Sequence, residues 1–254
     1  MQERMIPSRR TSRRTFRLPC GLPDLVAAVF LTVLLPLGGA AWMTWAGEKA
    51  PDPPAAAVLE GGAGAPESGA DGTPWNLLLV NGESPLPEDL DIELAEAPGG
   101  EKVDARILQP LMELLEAARE GNRDLQPLVV SGYRTQEKQR RLYDGKVAQY
   151  RDLGYPEEEA RSLAESWVAA PGYSEHQAGL AVDLNGAVYD VYFWLQENSW
   201  KYGFIFRYPG DKTELTGVAE EVWHYRYVGR EAAEEIHRRG LCLEEYLAEQ
   251  EAAA

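Results

Sequence analysis

The chain has 254 residues, 44% of them hydrophobic, with 41 acidic against 25 basic side chains and a net charge of −16. A body this acidic repels phosphate backbones, which excludes nucleic acid as a partner. Two cysteines, Cys20 and Cys242, are too few for a disulfide framework or a thiolate zinc site; they flank an apolar run of membrane length and are not expected to pair.

Residues 1–24 run against the average, setting six arginines against only Glu3 and Asp24, and form a basic cytoplasmic tail. Residues 25–46 carry no charge. They are long enough to span a bilayer as one helix, with Trp42 and Trp45 at its outer interface. The segment has no polar face, so a buried core helix accounts for it poorly. Arginines before it and acidic sequence after it place the N-terminus inside and the body outside. Ser12-Arg13-Arg14-Thr15-Phe16 resembles a twin-arginine export signal, and Thr44-Trp45-Ala46 is a weak cleavage site. The apolar run exceeds a usual signal core, which favours a retained anchor over a cleaved signal. Residues 47–73 are mostly Ala, Gly, Pro, Glu and Asp, too poor in large apolar groups to offset the entropy of ordering, and read as a disordered linker. The folded domain is expected over 74–254.

Within it, the apolar run 77–80, closed by Asn81-Gly82, predicts a buried strand and turn. Asp104 can cap a helix whose stripe is Ile107, Leu108, Leu111, Leu114 and Leu115, ending near Gly121. Pro110 predicts that this helix starts late or kinks. Residues 128–131 read as a buried strand leading to Gly132-Tyr133-Arg134, after which Thr135 caps a polar helix carrying Gln139 and Leu142. Pro156 suits the first turn of a helix over 157–168, stopped by Ala170-Pro171-Gly172. A helix over 190–198, a strand over 202–208 and helical pieces over 231–239 and 244–248 follow. The fold class is α+β: a small, mainly antiparallel sheet flanked by helices, preceded by one transmembrane helix.

The chemistry is concentrated in Ser174-Glu175-His176-Gln177-Ala178-Gly179-Leu180-Ala181-Val182-Asp183. A histidine is joined to a carboxylate through a glycine turn and a short strand, with Leu180 and Val182 on one face and Ala181 and Asp183 on the other. Imidazole nitrogen and carboxylate oxygen both suit Zn²⁺, which in catalytic sites takes three protein ligands and leaves a position for water. Glu221-Val222-Trp223-His224 offers the third ligand, His224. Such a zinc ion acidifies water, and Glu221 is the nearest unassigned carboxylate to move the proton. On a flat strand, residues three apart face opposite ways, so a bulge or helical turn is needed to aim Glu221. Trp223 and Tyr225 are expected to wall the site. His237, on a polar helical face, reads as structural.

Ser174-x-His176-x-x-Gly179-x-Ala181-x-Asp183, Glu221-x-x-His224 and the upstream Ser131-Gly132-Tyr133-Arg134 together resemble the VanY-type D-alanyl-D-alanine carboxypeptidases. These are zinc peptidases of the bacterial cell wall that share a fold with the zinc D,D-peptidases and the hedgehog signalling domain. The resemblance spans essentially the whole domain, from Leu79-Val80-Asn81 to Glu244-Glu245-Tyr246-Leu247. One small departure is Val222-Trp223-His224-Tyr225, where Pro-Trp-His-Phe is commoner. It implies one zinc per domain on His176, Asp183 and His224, and Glu221 as the catalytic base. It also implies that Arg134 holds or polarises the substrate's terminal peptide and that Gln139 and Ser174 hydrogen-bond it. The implied activity is removal of the last D-alanine from peptidoglycan stem peptides by a single-pass membrane protein with its catalytic domain outside. An L,D-carboxypeptidase acting on tetrapeptides, an endopeptidase acting on cross-links and a non-catalytic wall-binding module remain as alternatives.

Overall fold

Short stretches of three to five residues form the strands, and longer stretches with one apolar face, such as 105–121, form the main helices. The computed structural model describes residues 73–121 and 123–253. The basic tail, the apolar run 25–46 and all but Thr73 of the expected linker lie outside the described residues. Among the described residues, no helix is long and apolar enough to cross a membrane.

After a 3-10 turn at Trp75–Leu77, strands β1 (Leu94–Glu96) and β2 (Lys102–Asp104) pair antiparallel as a small ribbon. Helix α1 (Ala105–Gly121) follows at once. The Asp104 carboxylate caps it, accepting the Arg106 amide at 2.9 Å. The helix starts at Ala105 and runs on through Pro110, so the late start expected from that proline does not occur. Strand β3 (Leu128–Ser131) leads to α2 (Gln136–Asp152), whose cap is the expected one: Thr135 Oγ1 accepts the Lys138 amide. Helix α3 (Glu157–Glu165) is shorter than expected, with Pro156 as its cap residue.

Strand β4 (Ala181–Asn185), α4 (Asp190–Asn198), β5 (Phe204–Phe206), the short α5 (Thr213–Thr216), β6 (His224–Tyr227), α6 (Arg230–Arg239) and α7 (Leu243–Ala253) complete the order. Four strands form one antiparallel sheet in the order β3-β4-β6-β5. Its inner face carries Val129, Val182, Leu184 and Tyr225, which join Ile107, Leu111, Leu114 and Leu115 of α1 in the main core. Burying such a leucine stabilises by about 1.5–3 kcal/mol, so α1 and the sheet hold each other in place. A second core lies between β5, α6 and α7, and a third, smaller one between α2 and α3.

One expected strand is absent. Residues 77–80 make no strand pairing; Val80 is fully buried, but Asn76 and Leu78 turn their carbonyls to the Arg226 guanidinium at 3.1 and 2.8 Å. That side chain takes the acceptors a neighbouring strand would otherwise have used.

Candidate metal centre

A tight reversal brings the first two candidate ligands together. Residues Glu175–Ala178 form one 3-10 turn ended by Gly179 at φ +70°, and a Cβ there would lie 2.9 Å from the Asp104 amide nitrogen. Only glycine fits both the left-handed backbone and that close approach. The reversal feeds β4, where Asp183 sits opposite Ser131 of β3 and His224 of β6. Paired residues share a sheet face, so register alone sets His224 beside Asp183. The His224 amide donates to the Glu221 carbonyl at 3.0 Å. That turn, as the spacing required, aims the Glu221 carboxylate at the site, with Oε2 3.6 Å from His224 Nδ1.

His176 Nε2 lies 3.2 Å and His224 Nδ1 3.3 Å from Asp183 Oδ1. Ligand atoms of the three residues all fall within 4.8 Å of one another, and all three side chains are buried. His176 Nε2 and Asp183 Oδ1 are buried without a hydrogen bond. An unpaired buried polar atom costs about 1–3 kcal/mol, a cost that a cation held between them offsets. Two nitrogens and one oxygen is a donor set that zinc accepts. The residues fit a metal.

Charge agrees with geometry. Burial opposes the ionised form of Asp183, yet the two histidines outweigh it and hold the carboxyl well below the usual range. Arg134 adds Nη2 to Asp183 Oδ2 at 2.5 Å and donates Nε to Ser131 Oγ at 2.9 Å. Burial likewise disfavours a charged His224, but close contacts with the Asp183 and Glu175 carboxylates, and Glu221 beside them, raise it to about 9. A metal entering here therefore displaces a proton. Burial pushes the Glu221 carboxyl up to about 7; Asp183 and Glu175 reinforce the shift against His224 and Arg134.

Each ligand histidine is anchored from behind. His176 Nδ1 is 2.9 Å from the Gly132 carbonyl. His224 Nε2 is 3.2 Å from Glu175 Oε2. Glu175 itself is buried, and its Oε1 accepts Arg207 Nε at 2.8 Å and Arg226 Nη1 at 3.0 Å. The sequence pattern assigns no role to Glu175 or to these two arginines, although Glu175 directly precedes the candidate ligand His176.

One of the two expected walls, Tyr225, needs correction. Tyr225 alternates with His224 along β6 and points into the main core; Trp223 is half-buried in the turn and gives its carbonyl to Leu184. The ring over His224 is Tyr208, at 4.9 Å between centroids. Gln139 is fully buried, its Nε2 donating to the Ala169 carbonyl at 2.6 Å while its Oε1 has no partner. Ser174 is buried just before the 3-10 turn, and its hydroxyl caps no amide of that turn. His237 stacks on Trp200 at 5.0 Å, a structural contact.

A family model described as D-alanyl-D-alanine carboxypeptidase, VanY, matches residues 100–230, about half the chain, and takes in every candidate site residue. The chain belongs to the VanY family. A curated D-alanyl-D-alanine carboxypeptidase of Enterococcus faecalis (strain ATCC 700802 / V583) is 53% identical to it over 178 residues; the match covers 68% of this chain and 66% of that relative's own length. Among solved structures, a mutant of the vancomycin resistance D,D-pentapeptidase VanY from a VanB-type cassette, in complex with Zn(II), is 53% identical with a TM-score of 0.65, over 68% of this chain and 99% of that one. VanYB in complex with D-alanine-D-alanine is 53% identical at TM-score 0.66, over 68% and 98%.

In this VanY-family chain the anchoring charges also set acid stability. Glu244 on α7 accepts Arg207 Nη1 and Nη2 at 2.9 and 2.6 Å. Burial favours the neutral acid, but Arg207 outweighs it and holds the Glu244 carboxyl below the usual carboxylate range. A depressed folded-state value adds stability that is complete above the unfolded value and lost as pH falls through the folded one. Glu244→Gln should cost about 3 kcal/mol, the low end for breaking a buried pair. That corresponds to about 6–12 °C in thermal midpoint for a domain of this size. Its loss of stability below about pH 4.5 should be shallower than that of the unmodified protein. Thermal scans between neutral and acid pH check this; parallel acid limbs would refute it.

Proposed function

We propose that the chain is a zinc-dependent D-alanyl-D-alanine carboxypeptidase that removes the C-terminal D-alanine from peptidoglycan stem peptides. The observation carrying this reading is the buried His176, Asp183 and His224 cluster with two unpaired ligand atoms and a carboxyl group, Glu221, beside it. The D-alanine-D-alanine complex of VanYB, at 53% identity, supports the substrate class.

His176, Asp183 and His224 would hold one zinc ion. Bound there, zinc supplies Lewis acidity that polarises a carbonyl oxygen and acidifies water. Glu221 accepts a proton from the attacking water and delivers it to the nitrogen of the departing D-alanine as the peptide C–N bond breaks. Arg134, already fixed by Ser131 and Asp183, orients the terminal peptide through its planar guanidinium. Gln139 and Ser174 hydrogen-bond the terminal carboxylate or peptide. Residues 25–46 anchor the protein in the membrane with the domain on the extracytoplasmic side; the uncharged run and the arginines before it support this.

Incubating the full-length protein with pentapeptide and tetrapeptide stems, and weighing the products, tests the activity. Loss of a single D-alanine from the pentapeptide alone is expected. Trimming of the tetrapeptide alone would make it an L,D-carboxypeptidase, and binding without cleavage a wall-binding module. Alkaline washing of membranes should leave the full chain in the pellet; its release would refute the anchor.

A further inference from the structure

We propose that Glu175 is a positioning residue that fixes which nitrogen of His224 faces the metal. The proposal rests on the metal-centre reading and adds a residue to it. The two ligand histidines present opposite nitrogens to Asp183: Nε2 from His176 and Nδ1 from His224. A neutral imidazole carries its proton on only one nitrogen and offers a lone pair only from the other. Each ring therefore needs an acceptor behind it. For His176 this is the Gly132 carbonyl at Nδ1, held by the backbone: a Cβ on Gly132 would lie 2.2 Å from the Lys102 carbonyl oxygen, so that main chain admits nothing larger.

For His224 the acceptor is a side chain, and its two oxygens divide the work. Glu175 Oε1 receives both arginines, Arg207 Nε and Arg226 Nη1, while Oε2 is left for His224 Nε2. Both guanidinium groups and the carboxylate are fully buried. A buried carboxylate without its cations would be strongly disfavoured; with two of them it stays an acceptor-only group. The Nε2 proton of His224 is thereby committed to Glu175, and the Nδ1 lone pair to the metal. Outer partners of this kind orient a ligand ring and raise its basicity, and their loss commonly costs 10–100-fold in metal affinity.

The division of labour makes Glu175→Gln informative. The amide oxygen remains with the two arginines, since they can only donate. That places the NH₂ group against His224 Nε2, which then must accept, and the ring proton moves to Nδ1, where it blocks the metal. The control is Glu244→Gln, which removes a carboxylate from Arg207 without touching His224.

The test uses the full-length protein. Zinc affinity is measured by competition with a chromogenic chelator, beside folding by circular dichroism. Glu175→Gln should bind zinc about 10–100-fold more weakly, whereas Glu244→Gln stays within about twofold of the unmodified chain despite its lower thermal midpoint. A folded Glu175→Gln with unmodified zinc affinity overturns the proposal. If Glu175→Gln does not fold, the unmodified protein decides. It has three histidines, so long-range ¹H–¹⁵N couplings can assign every ring in the zinc-loaded state. A proton on His224 Nε2 with Nδ1 on the metal supports the proposal, and the reverse tautomer overturns it. An unmodified chain that takes up no zinc overturns the metal centre along with it; zinc uptake without peptide hydrolysis refutes only the proposed activity.

Discussion

Glu221→Gln should lower stem-peptide hydrolysis by about 10⁴-fold while zinc content, fold and peptide affinity stay at the unmodified level. General acid–base groups contribute about 10²–10⁴-fold, and the upper end is expected because one carboxyl serves both proton transfers. An amide of the same shape still fills the space beside His224 but cannot take up a proton. Burial disfavours the Glu221 charge more than His224 and Arg134 favour it, so no loss of stability is expected beside the loss of rate. Arg134→Ala should differ in kind: the residue braces Asp183 as well as the proposed substrate position, so KM rises and kcat falls together. Steady-state kinetics beside zinc analysis separates the two. Hydrolysis by Glu221→Gln at the unmodified rate would remove it as the base.

His224→Ala empties the centre. With three protein ligands, loss of one leaves two, and tight binding of about one zinc per chain should fall to background. Hydrolysis should vanish with it. Glu175 then also loses one of the groups its carboxylate faces, so this variant should be less stable than Glu221→Gln. Chelator treatment of the unmodified protein should reproduce the loss of activity, and added zinc should reverse it. Stoichiometric zinc retained by His224→Ala, measured by atomic emission, would refute this ligand set.

The candidate ligand cluster is legible in the sequence because its parts are local. His176 and Asp183 are joined by one glycine turn, and Glu221 and His224 by one tight turn, so spacing carries their geometry. Tyr225 does not wall the site because neighbours on a strand face opposite ways, as Leu180 and Asp183 do on β4 and its approach. With His224 in the site, Tyr225 had to enter the core. The anchoring charges are a different matter. An arginine in a strand reads as an exposed position, since unpaired charges are almost never buried. Nothing near Arg226 in the chain announces Glu175, 51 residues away, or the carbonyl of Asn76, 150 residues away. The same distance hides why 77–80 is not a strand.

Arg226 reaches back to Asn76 and Leu78, and Arg207 forward to Glu244; both outer partners lie beyond the stretch 100–230 that defines the family match. Cutting the protein to that stretch would keep every ligand and strip both clamps from the arginines behind His224. In synthesis the order is just as consequential. The three ligands leave the ribosome before Glu244 does, so the nascent chain owns a complete ligand set before its support is complete. The buried charges behind His224 are therefore completed only once α7 brings Glu244 to Arg207.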